Sequence, residues 1–313
     1  MSKLLRLVVA LAIAHVAAPG DAYSQAFDTS AKHVQDAPTL YITGGAVIMK
    51  RSTPDNSTFV AANPAGTPFQ TGNNFKFDWE AGFDGTLGVR FMGRHAIEVR
   101  FLGIESDAAS AFTTPGAFIG GGFTGPGGTL ISTTYDASLR NWELNWRYLW
   151  TNQLTLLAGF RAINLEDTQR FRIGPVAQGL YDYDNRLRGA QIGIDWSVLP
   201  ATSALQVNLS GKVGLFHLNS DGGIQEFGPG PIGGFGTKIS DTVVAGELGV
   251  SVGYRIHDNV VLRAGYQLLV IDDIGLASNN ASASLLNPSL LSNNIYRDSI
   301  LYHGANLGVS ITW

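Results

Sequence analysis

Charged side chains in this sequence recur at alternate positions of otherwise apolar stretches, the spacing that places them together on one face of a β-strand. Asp78, Glu80, Asp84 and Arg90 alternate with Phe77, Trp79, Ala81, Phe83, Leu87, Val89 and Phe91. The same parity sets Glu98, Arg100, Glu143, Arg147, Arg161, Asp195, Lys212, Glu247, Arg255 and Arg263 on the polar sides of their segments. Ionised groups gathered on the inner face of a closed sheet can line an aqueous path and bias which ions enter it. They can equally pair with one another and fill the interior. Both outcomes remain open. Strand position sends Asp78, Glu80, Asp84, Glu143, Asp241, Glu247, Arg161 and Lys212 to middle and outer depth, and Arg90, Arg100, Arg147, Arg255, Arg263, Glu98 and Asp195 toward the inner end. The expected interior is therefore acidic in its outer half and basic in its inner half.

Other chemistries find little support. The chain has no cysteine, which excludes disulfides, thiolate metal sites, a cysteine nucleophile and a lipid-modified N-terminal cysteine. The glycine-rich stretches 120–128 and 228–236 lack the strand and helix that a phosphate-cradling loop needs on either side. Helical His-Glu-x-x-His and nucleophile-elbow patterns are absent. A hydrolytic site would need an Asp and a His on the outer rim. His95 and His257 fall at short turns, while His217 and His303 have the parity of the apolar outer face. No catalysis, metal or cofactor is expected, and no basic cluster points to nucleic acid.

The elements that must position these charges are strands. Trp142, Leu144, Trp146, Tyr148 and Trp150 alternate with Asn141, Glu143, Asn145 and Arg147, and Ala190, Ile192, Ile194, Trp196 and Val198 with Gln191, Gly193, Asp195 and Ser197. Similar alternation starts near 205, 244, 260 and 301, and weaker strands cover 40–50, 95–105 and 154–165, for ten in all within a range of 8–12. Long connections (51–75, 106–133, 166–182, 219–240, 272–300) take turns with short ones centred on Gly93, Asn152, Pro200 and Asp258. An even strand number, long loops on one side and short turns on the other predict an all-β, antiparallel up-and-down barrel with extracellular loops and periplasmic turns. Only 15% of the 313 residues are charged, against roughly 25% in soluble domains. A membrane-facing exterior explains that deficit. Phe91, Tyr148, Trp150, Trp196, Tyr254 and Trp313 should form an aromatic girdle at the periplasmic interface, with Phe77 and Trp79 at the opposite boundary.

The N-terminus carries Lys3 and Arg6, an apolar run from Leu7 to Ala18, and small residues before Tyr23 or Phe27. This is the pattern of a signal peptide over 1–22, with an alternative cleavage after 26, followed by a periplasmic segment 27–38 and the barrel 39–313. Outer-membrane localisation follows, with lipids as the surroundings.

Three segments carry a family resemblance: Arg188-Gly189-Ala190-Gln191-Ile192-Gly193-Ile194-Asp195-Trp196, then 247–255, then the closing 303–313. They resemble the beta-barrel porin-7 family of outer-membrane proteins. Gly159-Phe160-Arg161-Ala162-Ile163-Asn164-Leu165-Glu166 looks like that family's G-(F/Y)-R-x-x-x-L-x-E strand, and Gly265-Tyr266-Gln267 resembles its next-to-last strand. The likeness covers roughly 140–313 and implies a porin, a narrow pore for passive passage of small solutes or ions. The alternative is a non-conducting surface scaffold or a loop-mediated binding or adhesion protein. Terminal Trp313, with Leu307, Val309 and Ile311, looks like the C-terminal signal read by barrel-assembly machinery.

Overall fold

In a computed structural model the described residues are 38–54, 58–120, 123–174, 177–200, 203–227, 234–283 and 294–313. The segments expected to be the signal peptide and most of the periplasmic stretch lie outside them. Ten strands close into an antiparallel barrel: β1 (Thr39–Arg51), β4 (Glu80–Phe91), β5 (His95–Thr113), β8 (Leu130–Leu149), β9 (Leu154–Ile173), β10 (Ala177–Ser197), β11 (Leu205–Phe227), β12 (Phe235–His257), β13 (Val260–Gly275) and β14 (Arg297–Thr312). The first and last strands complete the ring, with Tyr41 opposite Thr312 and Arg51 opposite Tyr302. Closure leaves no unpaired edge in the hydrocarbon region, where an unsatisfied backbone amide costs several kcal/mol.

The strands are longer than their alternation suggested, reaching 23 residues in β11 and β12. The segments 166–182 and 219–240, read as long loops from their turn-forming residues, are mostly strand. Only 174–176 separates β9 from β10, and 228–234 separates β11 from β12. The cause is an inversion of polarity along each strand. On β8, Trp142, Leu144 and Trp146 face outward while Asn141, Glu143 and Asn145 are buried inside. Nearer the N-terminus of the same strand, Ile131, Tyr135 and Leu139 are the buried side chains and Ser132, Thr134 and Arg140 are not. Likewise Ile192 faces outward on β10, whereas further out Leu187, Tyr183 and Tyr181 are buried within. Below the inversion the barrel is apolar outside, as a bilayer requires; above it, the outside is polar and the inside apolar, as water requires. This outer half therefore has an ordinary dry core, built from Val47, Leu102, Leu139, Leu165, Phe216, Leu269, Ile300 and their neighbours.

Two connections, 52–79 between β1 and β4 and 114–129 between β5 and β8, fold over the outer mouth. Strands β2 (Thr58–Ala62), β3 (Pro68–Thr71), β6 (Phe118–Gly120) and β7 (Phe123–Gly125) form a separate sheet in the order β3-β2-β6-β7. Its Phe59 and Phe118, with Phe75 and Phe77 from the chain leading into β4, are fully buried against Tyr135, Phe171 and Tyr181. Phe59 meets Phe75 at 5.5 Å and Phe77 meets Tyr135 at 5.3 Å between ring centroids. Each such ring contributes roughly 1.5–3 kcal/mol. Phe77 is thus a core residue and not part of an outer girdle. It precedes β4, so the lipid-face alternation begins only after it. A short helix, α1 (Ala277–Ala283), is held beside this sheet, and Asn280 accepts a hydrogen bond from the Tyr296 amide at 2.8 Å.

Close strand approach depends on glycine at Gly304. A Cβ there would lie 2.1 Å from the Ile48 carbonyl oxygen and 2.5 Å from Met49 Cα, both backbone atoms that cannot move independently of the closing β1–β14 pair. Gly304→Val should lower the yield of folded barrel and cost at least about 1–3 kcal/mol, the usual range for overpacking. Urea titration in detergent, followed by tryptophan fluorescence, measures it.

Candidate functional site

The interior below the dry core is crossed by a layer of paired charges. Glu143 of β8 is fully buried and sits at its centre. It accepts from Lys212 of β11 at 2.9 Å, Arg100 of β5 at 3.2 Å, Gln191 of β10 at 2.9 Å, Asn145 at 3.0 Å and Asn141 at 3.2 Å. Glu247 of β12 accepts from Arg100 at 2.5 Å, from Arg161 of β9 at 2.8 Å and from Lys212 at 3.3 Å. Arg100 also grips Asp84 of β4 through two bonds of 3.0 and 2.6 Å and donates to Gln267 of β13 at 2.9 Å. Residues of eight consecutive barrel strands are therefore linked across the lumen. Three cations meet three carboxylates, so the layer is neutral. Arg161 binds Asn141 at 2.8 Å as well, which fixes the guanidinium plane.

Toward the periplasm the interior opens into a vestibule of about 310 Å³, extending from Tyr41 and Arg90 inward to Arg100, Lys212 and Glu247. None of the apolar core residues lines it. Arg147 bridges its wall, donating to Glu98 at 2.9 Å and also to Asp195, and Tyr41 donates to Glu98 at 3.0 Å. Arg255 and Arg263 line the same space.

Strand parity therefore brings Asp84, Arg100, Glu143, Arg161, Lys212 and Glu247 into one layer, and Arg90, Glu98, Arg147, Asp195, Arg255 and Arg263 into the vestibule. Glu80 stands opposite the buried Met49, outside the layer. Three expectations need correction. Asp78 is not a lumen charge: it precedes β4 and is exposed at the rim. Arg100 belongs to the middle layer and not the periplasmic ring, because its long side chain reaches Glu247. With Arg100, Arg161 and Lys212 opposite Asp84, Glu143 and Glu247, the outer half is not a separate acidic zone.

The sequence reading missed the amides Asn141, Asn145, Gln191 and Gln267, although all four have inward parity. It also missed a buried cluster above the layer, where Arg51 donates to Asp167 and to Tyr135 at 3.3 Å. Asp167 also accepts the Ala277 amide at 2.8 Å, tying α1 to the barrel wall.

On the outer face, Trp150, Tyr254 and Trp313 are 56–59% exposed at the short-turn end. Phe91, Tyr148 and Trp196 stand at strand ends on the same side, and His95 packs between Phe91 and Trp146. Near the opposite boundary Trp79 packs on His303, which is 2.6 Å from the Tyr266 hydroxyl. His217 contacts Ser240 at 3.1 Å. Among the described residues no histidine is ion-paired to a carboxylate, and no group of three or more His, Asp or Glu could hold a metal.

No protein-family model matches the chain, and no curated protein does. Among solved structures, the outer membrane protease OmpT from Escherichia coli aligns over 90% of this chain and 98% of its own, with TM-score 0.51 and 12% identity. OprG from Pseudomonas aeruginosa aligns over 89% and 97% at TM-score 0.30 and 10% identity, and Ail from Yersinia pestis over 88% and 99% at 0.26 and 10%. The last two scores carry no argument. Likeness at 12% identity shows the fold alone: this is a β-barrel of the outer-membrane type.

Proposed function

We propose that the chain is an outer-membrane surface scaffold: a barrel, closed to solutes, that holds an ordered β-platform on the extracellular side. One observation carries the reading. Among the described residues the ion-pair layer, the dry core and the loop sheet lie in series along the barrel interior, and its middle is lined by side chains with almost no exposed surface, such as Arg161 and Glu143. Ten strands enclose a cross-section that side chains can fill, while open channels are typical of 16 to 18. The polar outer wall, with exposed pairs such as Arg170–Asp136 at 2.7 Å, suits a surface that stays in water. Its aromatic girdle suits outer-membrane lipids, and its terminal strand ending in Trp313 suits recognition by barrel-assembly machinery.

The porin-7 resemblance would add passive passage of solutes, and the filled interior weighs against it. Refolded protein in a planar bilayer should show conductance at the baseline of the bare membrane. Reproducible openings whose anion preference disappears in the Arg147→Ala, Arg255→Ala double variant would overturn the scaffold and return the pore.

A further inference from the structure

The vestibule is walled by charged and hydroxyl side chains. The ion-pair layer at its inner end is neutral. Below the layer, four arginines (Arg90, Arg147, Arg255 and Arg263) face three carboxylates, Glu98, Asp195 and the turn residue Asp258. Arg147 holds two of those three. Arg263 projects inward from β13, and its strand neighbours across the ladder are Gly253 and Gly308. Its Nε is buried and makes no hydrogen bond among the described residues. A guanidinium donor left unmade inside a protein costs free energy unless a partner arrives. The cavity beside it is large enough for a small solute. The Ser251 hydroxyl lines the same walls and can donate to the same guest.

We propose that the periplasmic vestibule is an oxyanion site, in which the guanidinium of Arg263 receives one carboxylate or phosphate group of a small solute entering from the periplasm. A planar guanidinium presents paired donors that match two oxygens of either group, which distinguishes an oxyanion from a spherical halide. This site does not depend on whether the barrel conducts, so a bilayer recording tests the scaffold and a titration tests the vestibule.

The test is calorimetric titration of the refolded full chain, in a non-ionic detergent, with inorganic phosphate and separately with acetate, against a sodium chloride background. Saturable binding of one equivalent of either probe is expected, weakening as salt rises because screening shortens the field. Arg263→Gln should weaken it at least tenfold while keeping the folded spectrum, Arg263→Lys should retain part of it, and Arg170→Gln on the outer wall should leave it unchanged. Absence of saturable binding by both probes to folded wild-type protein overturns the proposal. So does equal binding by wild type and Arg263→Gln.

Discussion

Replacing Asp167 by alanine should destabilise the barrel by about 3–5 kcal/mol, the cost of leaving one partner of a buried ion pair uncompensated. Asp167 has no exposed surface and Arg51 almost none. Without the carboxylate the guanidinium keeps the Tyr135 hydroxyl and the faces of Phe77 and Tyr135, which lie 4.7 and 4.8 Å from its central carbon. Those cation–π contacts contribute only about 0.5–2 kcal/mol each. Arg51 Nε and Nη1 have no hydrogen bond among the described residues even in the intact protein. The Ala277 amide loses its acceptor in the same step, so the connection carrying α1 should become sensitive to protease before the strands do. Urea unfolding in detergent measures the loss, and a paired Arg51→Met, Asp167→Leu variant should recover most of it, since apolar replacement of a whole buried pair is often neutral. A loss below 1 kcal/mol in Asp167→Ala would show that the pair does not hold the cap.

Arg100→Met is expected to have a comparable effect on the middle layer, about 3–5 kcal/mol. Arg100 alone ties together Asp84, Glu143, Glu247 and Gln267, from four different strands. Its removal leaves three carboxylates facing only Arg161 and Lys212. The dry core above is untouched, so the variant should still not conduct. An arginine lining an open pore would behave in the opposite way, changing conductance while leaving stability nearly intact. Thermal melting and bilayer recording on the same preparation separate the two outcomes.

Strand count and the inward parity of the membrane segments were legible because they depend on a period of two, which is local. Glu143 and Arg147 could be placed on the inner face from their neighbours Trp142, Leu144 and Trp146 alone. Their partners could not be identified in that way: Arg100 meets Glu247 across 147 residues, through a relation set by strand tilt and side-chain reach. The outer extensions were illegible for a different reason. Segment 166–182 opens on five polar residues, Glu166 to Arg170, of which Asp167 and Gln169 face the interior, so its inward face carries no apolar stripe until Phe171 and it reads as a loop. Arg51 and Asp167 fell in stretches assigned to connections, so the pair joining them was invisible.

The reversal of polarity along each strand also constrains how the molecule reaches its final place. The outer parts of β8, β9, β10 and β12 carry Arg140, Arg170, Arg186 and Lys238 on the wall that must finish on the far side of the bilayer. These strands therefore have to carry charged groups through hydrocarbon before the apolar belt can settle into it, at a cost of several kcal/mol for each unshielded charge at the midplane. The outer half cannot form its dry core until it has crossed, because that core needs all the strands in register. Translocation and folding are thus forced into sequence: the tips cross open and polar, the ring closes, and only then do the two connecting excursions lay the aromatic lid over the mouth. Thinning the bilayer should speed insertion of this barrel more than that of one with short tips.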